Sequence, residues 1–389
     1  MSTDGAIEKI VLKIENDLLK DNYIGLYDSM GGKLLFYGYL NSFFNTDRYN
    51  QKLEDCILEI FEKINEGEIA TTFCSGIAGA VWAIKHLEKR QIIDTEVDFN
   101  YLNPLLKQSA INFASAGNFD FLHGSDGIIS YLLTTEMTEE EFINEWLKLL
   151  SMHAIKEKGH YSWESLLNID TGERAINLSL SHGISSRIIL LSEVVQKFPK
   201  NALANEILNG CVEFLLSHKR NESEVSIFPM YFNPQATYSN RLAWCYGDLG
   251  NGIALWRAGK LLNKNVWKET GLETLIHCSK RRGLKESNVV DAGFCHGTSG
   301  ITHIFNRFYR ETGRKEFDEA RIYWMNQTLD LSAGQDEYMA GFQTWDGINK
   351  KFTNRSNLLE GTMGIAMSLM GFKAERSDDL NWDECFLLS

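Results

Sequence analysis

Residues 124–133 read Gly124-Ser-Asp-Gly127-Ile-Ile-Ser-Tyr-Leu-Leu133. Two glycines three positions apart permit a tight turn and a close backbone approach at the start of a helix. The residues after Gly127 are apolar over most of a helix circumference, which is typical of a helix that is buried on all sides. This stretch therefore predicts the start of a buried helix, and the same arrangement recurs along the chain.

The Gly-x-x-Gly motif, or a close variant of it, occurs seven times, at intervals that accommodate two helices each. Ser29 replaces the first glycine of the first motif, and Ser186 replaces the second glycine of the fourth. We call each motif, together with the loop before it and the helices after it, a repeat, and number the repeats one to seven. In chain order the motifs span residues 29–32, 76–79, 124–127, 183–186, 247–250, 297–300 and 361–364.

The segments between the motifs, for example residues 51–66 and 202–218, have apolar residues at the spacing of a half-exposed helix. Alternating buried and amphipathic helices predict an all-α fold, an α/α toroid of seven inner and seven outer helices, with residues 1–389 as a single domain. An open solenoid is the alternative, although open arrays usually carry polar capping repeats. Residues 221–241 and 334–355 look less helical and predict loops or a hairpin at one end of the ring.

The composition excludes several classes of function. A formal net charge of −13 argues against nucleic-acid binding, because phosphate backbones select basic surfaces. The sequence has no apolar run of about 18 residues, so no membrane span is expected. The N-terminus does not resemble a signal peptide. Seven cysteines in such a chain predict a reducing cytoplasm and free thiols rather than disulfides.

Residues at the same position relative to each motif should lie at the same end of the ring and can converge on one site. Cys245 and Cys295 both stand two places before a motif glycine in adjacent repeats, and His296 follows directly. Two thiolates and an imidazole are the three protein ligands expected of a catalytic zinc ion with an open fourth position. The nearby helix N-termini also favour the thiolate form of cysteine.

The alternative is that these cysteines only fill the core, as free cysteine often does. The shared position of Cys245 and Cys295, and the adjacent His296, favour the metal site. Cys74 has the same position relative to the motif of repeat two, but that repeat lies three places round the ring from repeat five. We therefore expect Cys74 not to reach the metal. The remaining cysteines lie outside this position and are predicted to be packing or surface residues: Cys56, Cys211, Cys278 and Cys385.

Other polar side chains share this end of the repeats. Asp120 and His123 precede motif three, His182 precedes motif four, and Glu360 precedes motif seven. A lone histidine is more often structural than catalytic. His182, however, has nearly the same position relative to its motif as the predicted ligands have to theirs, which favours a catalytic role. Asp120 has an alternative role as a helix N-terminal cap. His123 and Glu360 receive no assignment from the sequence.

With these residues in place, the sequence resembles the lanthionine synthetase C family, the lantibiotic cyclases and their relatives. The resemblance extends from Ser29 to Met370, and its most specific parts are Trp-Cys-Tyr-Gly at 244–247 and Cys-His-Gly at 295–297. It implies the α/α toroid and a single zinc ion. By position it implies three zinc ligands, Cys245, Cys295 and His296, and four catalytic residues, His182, Asp120, Arg241 and Tyr246.

The resemblance also implies an activity, that of a zinc-dependent lanthionine synthetase. Such a cyclase adds cysteine thiols to dehydrated serine or threonine residues of a lantibiotic precursor peptide, forming lanthionine or methyllanthionine thioether rings. His182 would then transfer protons with help from Asp120, while Arg241 and Tyr246 would stabilise the developing enolate. The implied partners are a dehydrated precursor, a dehydratase and an export transporter. The implied location is the cytoplasm, or the membrane periphery through a biosynthetic complex.

Three other readings remain open at the level of sequence. A relative of the cyclases could use the same zinc to bind glutathione or another thiol without cyclising peptides. A prenyltransferase β-subunit is a poorer match. Those proteins use a close Asp-x-Cys pair of ligands with a distant histidine, whereas here Asp291 lies four residues before Cys295 and His296 is adjacent to it. A glycosidase would need paired carboxylates, and no convincing pair is present. The even spacing of repeats one to three leaves little room for the inserted domain thought to dock leader peptides in some cyclases.

Overall fold

A computed structural model describes the chain except for residues 1–2, 20–22, 68, 96, 137, 169–170, 222, 333–338, 348 and 376. Each of the seven motifs begins an inner helix, as the sequence predicts. The first motif residue stands at the N-cap of its helix and makes no side-chain capping bond. The inner helices are α2 (Met30–Phe44), α4 (Ile77–Lys89), α6 (Ser125–Leu133), α8 (Ile184–Lys197), α10 (Asp248–Leu261), α12 (Thr298–Thr312) and α14 (Thr362–Lys373).

The motif glycines are required by close packing at these helix starts. A Cβ atom at Gly300 would lie 1.9 Å from the carbonyl oxygen of Phe294, because the preceding loop folds back over the first helical turn. At Gly247 the reason is backbone conformation as well, since its φ of 105° is rarely adopted by residues with a side chain. Repeat four tolerates serine, because the Ser186 hydroxyl donates a hydrogen bond to the Gly183 carbonyl at 2.9 Å.

Seven outer helices in the described residues surround the inner ring. Six of them follow an inner helix in the chain, whereas the first helix packs against α14 and completes the outer layer. These helices are amphipathic: the second buries Leu53, Ile57 and Ile60 on one face. They are α1 (Thr3–Asn16), α3 (Asn50–Glu66), α5 (Asn103–Ser115), α7 (Glu140–Met152), α9 (Ala202–Ser217), α11 (Asn265–Ser279) and α13 (Lys315–Leu331).

Backbone hydrogen bonds join the loops before adjacent inner helices at six of the seven junctions among the described residues. Between repeats three and four, the Arg187 side chain donates to the Phe119 carbonyl at 2.8 Å. Repeat seven bonds back to repeat one, since the Leu359 N–H donates to the Tyr27 carbonyl at 3.1 Å. An open solenoid has no such bond between its first and last repeats, so the toroid prediction is confirmed. The other bonds of this series run from Tyr27 N to Cys74 O, Cys74 N to Leu122 O, Leu180 N to Cys245 O, Cys245 N to Cys295 O and Cys295 N to Leu359 O.

Short strands interrupt the helices at one end of the ring. The hairpins β5 (Tyr231–Asn233) with β6 (Gln235–Thr237), and β7 (Thr344–Asp346) with β8 (Lys351–Thr353), lie in the two stretches that look less helical in sequence. Parts of the second stretch, residues 333–338 and 348, lie outside the described residues. The sequence did not indicate four further strands, which are β1 (Ile155–Glu157), β2 (His160–Ser162), β3 (Glu164–Asn168) and β4 (Glu173–Asn177).

Strands β3 to β6 form one antiparallel sheet in the order β3-β4-β5-β6. The pairing of β4 with β5 joins the segment before α8 to the segment before α10, with Ile176 opposite Phe232 and Asn177 opposite Tyr231. The hydroxyl of Ser165 in β3 donates to the His182 carbonyl at 3.3 Å. The sheet therefore borders the loops that begin repeats four and five.

The C-terminal segment fills the centre of the ring. Residues Ser377–Phe386 form a 3₁₀ helix, and the Phe386 ring packs against Tyr27, Trp244 and Phe294, which belong to repeats one, five and six. The Tyr27 hydroxyl donates to the Cys385 carbonyl, and the Trp244 indole N–H donates to the Phe386 carbonyl at 2.8 Å. The centre of the ring is therefore occupied at this level.

Within the part of the chain that the structure describes, none of the helices combines the length and apolar character needed to cross a membrane.

Candidate metal centre

One residue of each repeat, four places before the last motif residue, contributes to a polar set at one end of the ring. Each stands just before the N-terminus of an inner helix, and the loop bonds described above hold these residues at a common level. The sequence predictions for Cys245, Cys295, His296 and His182 all fall in or next to this set. Its members are Asp28, Ser75, His123, His182, Tyr246, His296 and Glu360.

The predicted metal ligands are adjacent in space. The two thiol sulfurs of Cys245 and Cys295 and one imidazole nitrogen of His296 lie within 4.8 Å of one another. The Cys245 N–H donates to the Cys295 carbonyl at 3.2 Å, so the two ligand loops are joined directly. Both thiols are buried, whereas the His296 side chain is 12 % exposed. Cys74 is not part of this group, as expected from its position in the ring.

The surroundings of the thiols favour one thiolate. A hydrogen bond from Cys295 lowers the pKa of Cys245 well below its usual range against the opposing effect of burial, and His296 and Arg241 lower it further. In contrast, burial raises the pKa of Cys74 to about 12, helped by the negative charges of nearby carboxylates. Burial likewise raises the pKa of Cys211 and Cys278 to about 12. The surroundings therefore favour the thiolate at Cys245 and oppose it at Cys74, Cys211 and Cys278.

His182 and Asp120 form a hydrogen-bonded pair beside this group. The His182 Nδ1 lies 2.6 Å from the Asp120 Oδ2. Burial lowers the pKa of His182, but the Asp120 carboxylate outweighs burial and raises it. The same pair keeps the pKa of Asp120 below its usual value although burial opposes this. The carboxylate can therefore orient the imidazole and stabilise its protonated form.

The alternative role for Asp120 as a helix cap is wrong. The N-cap of α6 is Gly124, which has no side-chain cap. The Asp120 Oδ1 instead accepts the N–H groups of Leu122 and His123, at 2.9 and 2.8 Å, within the loop before the helix. One carboxylate oxygen thus holds the loop and the other faces His182.

Arg241 and Tyr246 lie on either side of the first predicted ligand in sequence. The charge of Arg241 helps to lower the pKa of Cys245, whereas the hydrogen bond with Cys245 and burial raise the pKa of Cys295 against the effect of Arg241. The Arg241 Nε is buried without a hydrogen-bond partner among the described residues. The Tyr246 ring centre is 6.2 Å from that of His182. Its hydroxyl accepts a hydrogen bond from the Asn177 Nδ2 at 3.1 Å, and burial raises its pKa. Tyr246 is therefore a neutral donor with its own hydrogen free to point elsewhere.

The two unassigned residues also lie in the polar set. The His123 ring is nearly parallel to the His182 ring, with 6.5 Å between centres and 20° between planes, and burial lowers the pKa of His123. Glu360 is paired with Arg355, which also contacts Asp346 at 3.4 Å. These contacts place both residues at the site without defining a catalytic role.

Two neighbours of the site were missed by sequence reasoning. Asn177 holds the Tyr246 hydroxyl from strand β4, and Asp291 contacts His296. Asn177 comes from a strand that no periodic pattern indicated. Asp291 could have been noticed, because its position nine residues before the last motif glycine in repeat six is that of Arg241 in repeat five.

Comparison with known proteins identifies the family. The family model described as "Lanthionine synthetase C-like protein" matches residues 21–387. The chain belongs to the lanthionine synthetase C-like family. Among solved structures, this family member is similar to nisin cyclase, with a TM-score of 0.72 and 19 % sequence identity over 99 % of this chain and 97 % of that chain. A cellobiose 2-epimerase from Bacillus thermoamylovorans matches with a TM-score of 0.49 and 11 % identity, covering 95 % and 99 % of the two chains.

The likeness to nisin cyclase extends over both chains almost completely, so this lanthionine synthetase C-like protein has the toroid of that enzyme. At 19 % identity the likeness defines the fold alone. The chemistry of this member must be argued from its own residues.

Proposed function

We propose that this lanthionine synthetase C-like protein is a zinc-dependent cyclase that forms lanthionine or methyllanthionine rings in a dehydrated precursor peptide. The observation that carries the proposal is the grouping of Cys245, Cys295 and His296 within 4.8 Å, beside the hydrogen-bonded pair of His182 and Asp120. Metal-assisted thiol addition requires a metal-binding group that activates the thiol and an acid–base pair that transfers the proton. Both lie at the same end of the ring.

The donor set fits zinc. Two thiols and one imidazole are ligands that zinc prefers, and three protein ligands leave a fourth position for a substrate. The low pKa of Cys245 favours the ionised ligand that a metal binds. When bound, zinc would lower the pKa of a substrate thiol and keep it as the reactive thiolate.

The reaction is a redox-neutral addition of a thiol across a carbon–carbon double bond. The sulfur forms a bond to the β-carbon of dehydroalanine or dehydrobutyrine, and the π electrons move towards the adjacent carbonyl as an enolate. The proton lost by the thiol balances the proton that the α-carbon gains. We assign that proton transfer to His182, whose protonated form Asp120 stabilises.

Arg241 and Tyr246 are assigned to the enolate. Arg241 carries a positive charge at the thiol pair and an unpartnered Nε, and Tyr246 retains a hydroxyl hydrogen because Asn177 occupies its acceptor side. A fixed cation and a fixed O–H donor stabilise developing negative charge without reorganisation of water. The four side chains of this assignment thus have separate tasks.

The partners follow from the chemistry. The substrate is a precursor peptide that already contains dehydrated serine or threonine, so a dehydratase must act before this enzyme. We propose that the enzyme acts in the cytoplasm and that an export transporter acts after it. The alternative is that a biosynthetic complex with the dehydratase and the transporter holds the enzyme at the membrane periphery.

The decisive experiment treats a dehydrated precursor encoded beside this protein with the zinc-loaded enzyme and then with a thiol-alkylating reagent. Cyclisation adds no mass but protects cysteine, so mass spectrometry should show fewer alkyl groups than in a reaction without enzyme. If no cysteine is protected, and a parallel reaction with added glutathione accumulates glutathione adducts on the dehydrated residues, the protein is a thiol-binding relative rather than a peptide cyclase.

A further inference from the structure

Asp291 is a buried carboxylate in the loop before α12, and it contacts one of the candidate ligands. Its Oδ2 lies 3.4 Å from the Nε2 of His296, and its side chain is fully shielded from solvent. The distance is long for a hydrogen bond, so electrostatic attraction between the carboxylate and the ring N–H dominates the contact. No described carboxylate other than Asp291 forms an ion pair with His296 within 4.0 Å.

Asp291 is held in place by two other elements. Its Oδ1 accepts the Gly293 N–H at 3.0 Å, and its Oδ2 accepts the Trp345 N–H of strand β7 at 2.8 Å. Both oxygens therefore have backbone donors already. The carboxylate does not join Cys245, Cys295 and His296 in the compact metal-binding group. It is thus placed to orient a ligand rather than to act as one.

We propose that Asp291 is a positioning residue for the metal centre: it holds the His296 ring with the Nε2 hydrogen towards the carboxylate and leaves Nδ1 for zinc. An imidazole has one donor and one acceptor nitrogen when neutral, so a partner for one nitrogen defines the tautomer of the ring. The inference rests on the proposed function, because it requires that zinc binds here.

The Trp345 contact extends this inference to the hairpin of β7 and β8. The same oxygen that faces His296 accepts the hairpin N–H, so the hairpin contributes to the position of the carboxylate. The ligand geometry in repeat six therefore depends on a segment that lies before repeat seven. Arg355, which follows β8, contacts Asp346 in β7 and Glu360 in the polar set, and joins the hairpin to the site a second time.

The test compares zinc affinity in Asp291→Asn and in a matched control, by competition with a chromophoric chelator. The amide has the same shape but cannot attract the Nε2 hydrogen as a carboxylate does. We expect zinc to bind about 10–100-fold more weakly, the usual effect of losing such an outer partner. The control is Asp126→Asn, which removes a fully buried carboxylate that pairs with Arg187 at 3.0 Å, away from the metal group.

Asp126→Asn should lower thermal stability while leaving zinc affinity within about twofold of the wild-type value, because its ion pair is structural. Unchanged zinc affinity in Asp291→Asn, or equal losses of affinity in the two variants, would overturn the proposal. Absence of zinc binding by the wild type would instead reject the proposed function, so the two failures are distinguishable.

A second measurement needs no variant and covers the case in which Asp291→Asn does not fold. Nitrogen NMR of ¹⁵N-histidine-labelled wild-type protein, with and without zinc, reports which ring nitrogen binds the metal. The expected result is one histidine with a metal-bound Nδ1 and a protonated Nε2. A metal-bound Nε2 at His296 would contradict the inference even though zinc is present.

Discussion

At the scale of single residues, neighbouring groups rather than residue type distinguish the candidate ligand Cys245 from Cys74. Cys74 and Cys245 are both buried and have the same position relative to their motifs. Burial raises the pKa of Cys74 to about 12, and nearby carboxylates add to this effect. Cys245 instead contacts Cys295 and His296, and its pKa falls. The two positions therefore show how neighbouring groups favour the thiolate at one buried cysteine and oppose it at the other.

We predict that Cys295→Ala protein loses its zinc, whereas Cys74→Ala protein keeps one zinc ion per chain. A site with only Cys245 and His296 lacks the third ligand that a stable zinc centre requires. Metal content after dialysis, measured by atomic emission, checks the expectation. Full zinc occupancy in Cys295→Ala would remove this residue from the ligand set.

A second prediction at this scale concerns proton transfer. His182→Asn should retain zinc and still bind the dehydrated peptide, but ring formation should slow by about 10²–10⁴-fold, the usual contribution of a positioned acid or base. The protected-cysteine assay followed over time gives the rate. An unaltered rate would show that another group moves the proton, and His123 would be the first to examine because its ring is parallel to that of His182.

At the scale of elements, the helix starts determine where the chemistry can be. Each inner helix begins at a motif whose glycines let the preceding loop fold back over the first turn, and that loop carries the residue that belongs to the polar set. Repeat four shows the limit of this rule. Ser186 stands in place of the second glycine and is accommodated, whereas the equivalent position in repeat six has a carbonyl oxygen 1.9 Å from where Cβ would be.

We therefore predict that Gly300→Ala destabilises the protein by about 1–3 kcal/mol or more, because its Cβ would overlap the Phe294 carbonyl. The reverse exchange at the equivalent position, Ser186→Gly, should cost only about 1 kcal/mol or less, through helix propensity and one lost hydrogen bond. Urea unfolding of both variants gives the free energies. Equal small losses would show that the loop in repeat six can move away.

At the scale of the whole molecule, the ring is closed at its rim and filled at its centre. Repeat seven bonds to repeat one, and the C-terminal segment packs on aromatic residues that directly precede both candidate cysteine ligands, Trp244 and Phe294. The segment is anchored by Asp383, which pairs with the buried His303 at 2.7 Å and with Arg307. Packing at the centre thus connects distant repeats.

This anchor predicts a loss of stability in acid. Burial lowers the pKa of His303, and Arg307 and His303 lower the pKa of Asp383 against the effect of burial. Both groups then bind fewer protons when folded than when unfolded, so their stabilisation is complete above the unfolded histidine pKa of about 6.5. The His303 part is lost as pH falls below that value, and the Asp383 part below about 4.

Melting temperatures of the wild type and His303→Gln between pH 5 and 8 check this prediction. The wild type should melt progressively lower below about pH 6.5, and the variant should show a weaker pH dependence. His160→Gln, at a partly exposed histidine in strand β2, is the control and should follow the wild type. Identical slopes in wild type and His303→Gln would place the titrating group elsewhere.

The extent of the domain is a further prediction at this scale. We expect residues 1–389 to unfold as one unit, since a ring whose ends are bonded to each other offers no boundary at which half of it could fold alone. Limited proteolysis should therefore nick loops without releasing a stable fragment. A folded fragment of three or four repeats would divide the chain into two domains.

The sequence alone determined the features that repeat. Recurring motifs predicted seven inner helices and a closed ring, because most of the helix starts need glycine for the same steric reason. Shared positions relative to those motifs predicted that Cys245, Cys295 and His296 lie close together. In the structure their ligand atoms are within 4.8 Å of one another. Such features can be predicted from sequence because residues at the same position in each repeat occupy equivalent places in the ring.

Only the tertiary structure decided the contacts that occur once. Asn177 reaches Tyr246 from a strand with no periodic signal, Asp291 faces His296 because strand β7 holds it, and Asp120 serves its loop and His182 with different oxygens. The packing of Phe386 at the centre of the ring is another contact that occurs only once and that the sequence did not predict. Each depends on side chains from segments far apart in sequence, whose meeting is determined by packing of the whole ring rather than by any local pattern.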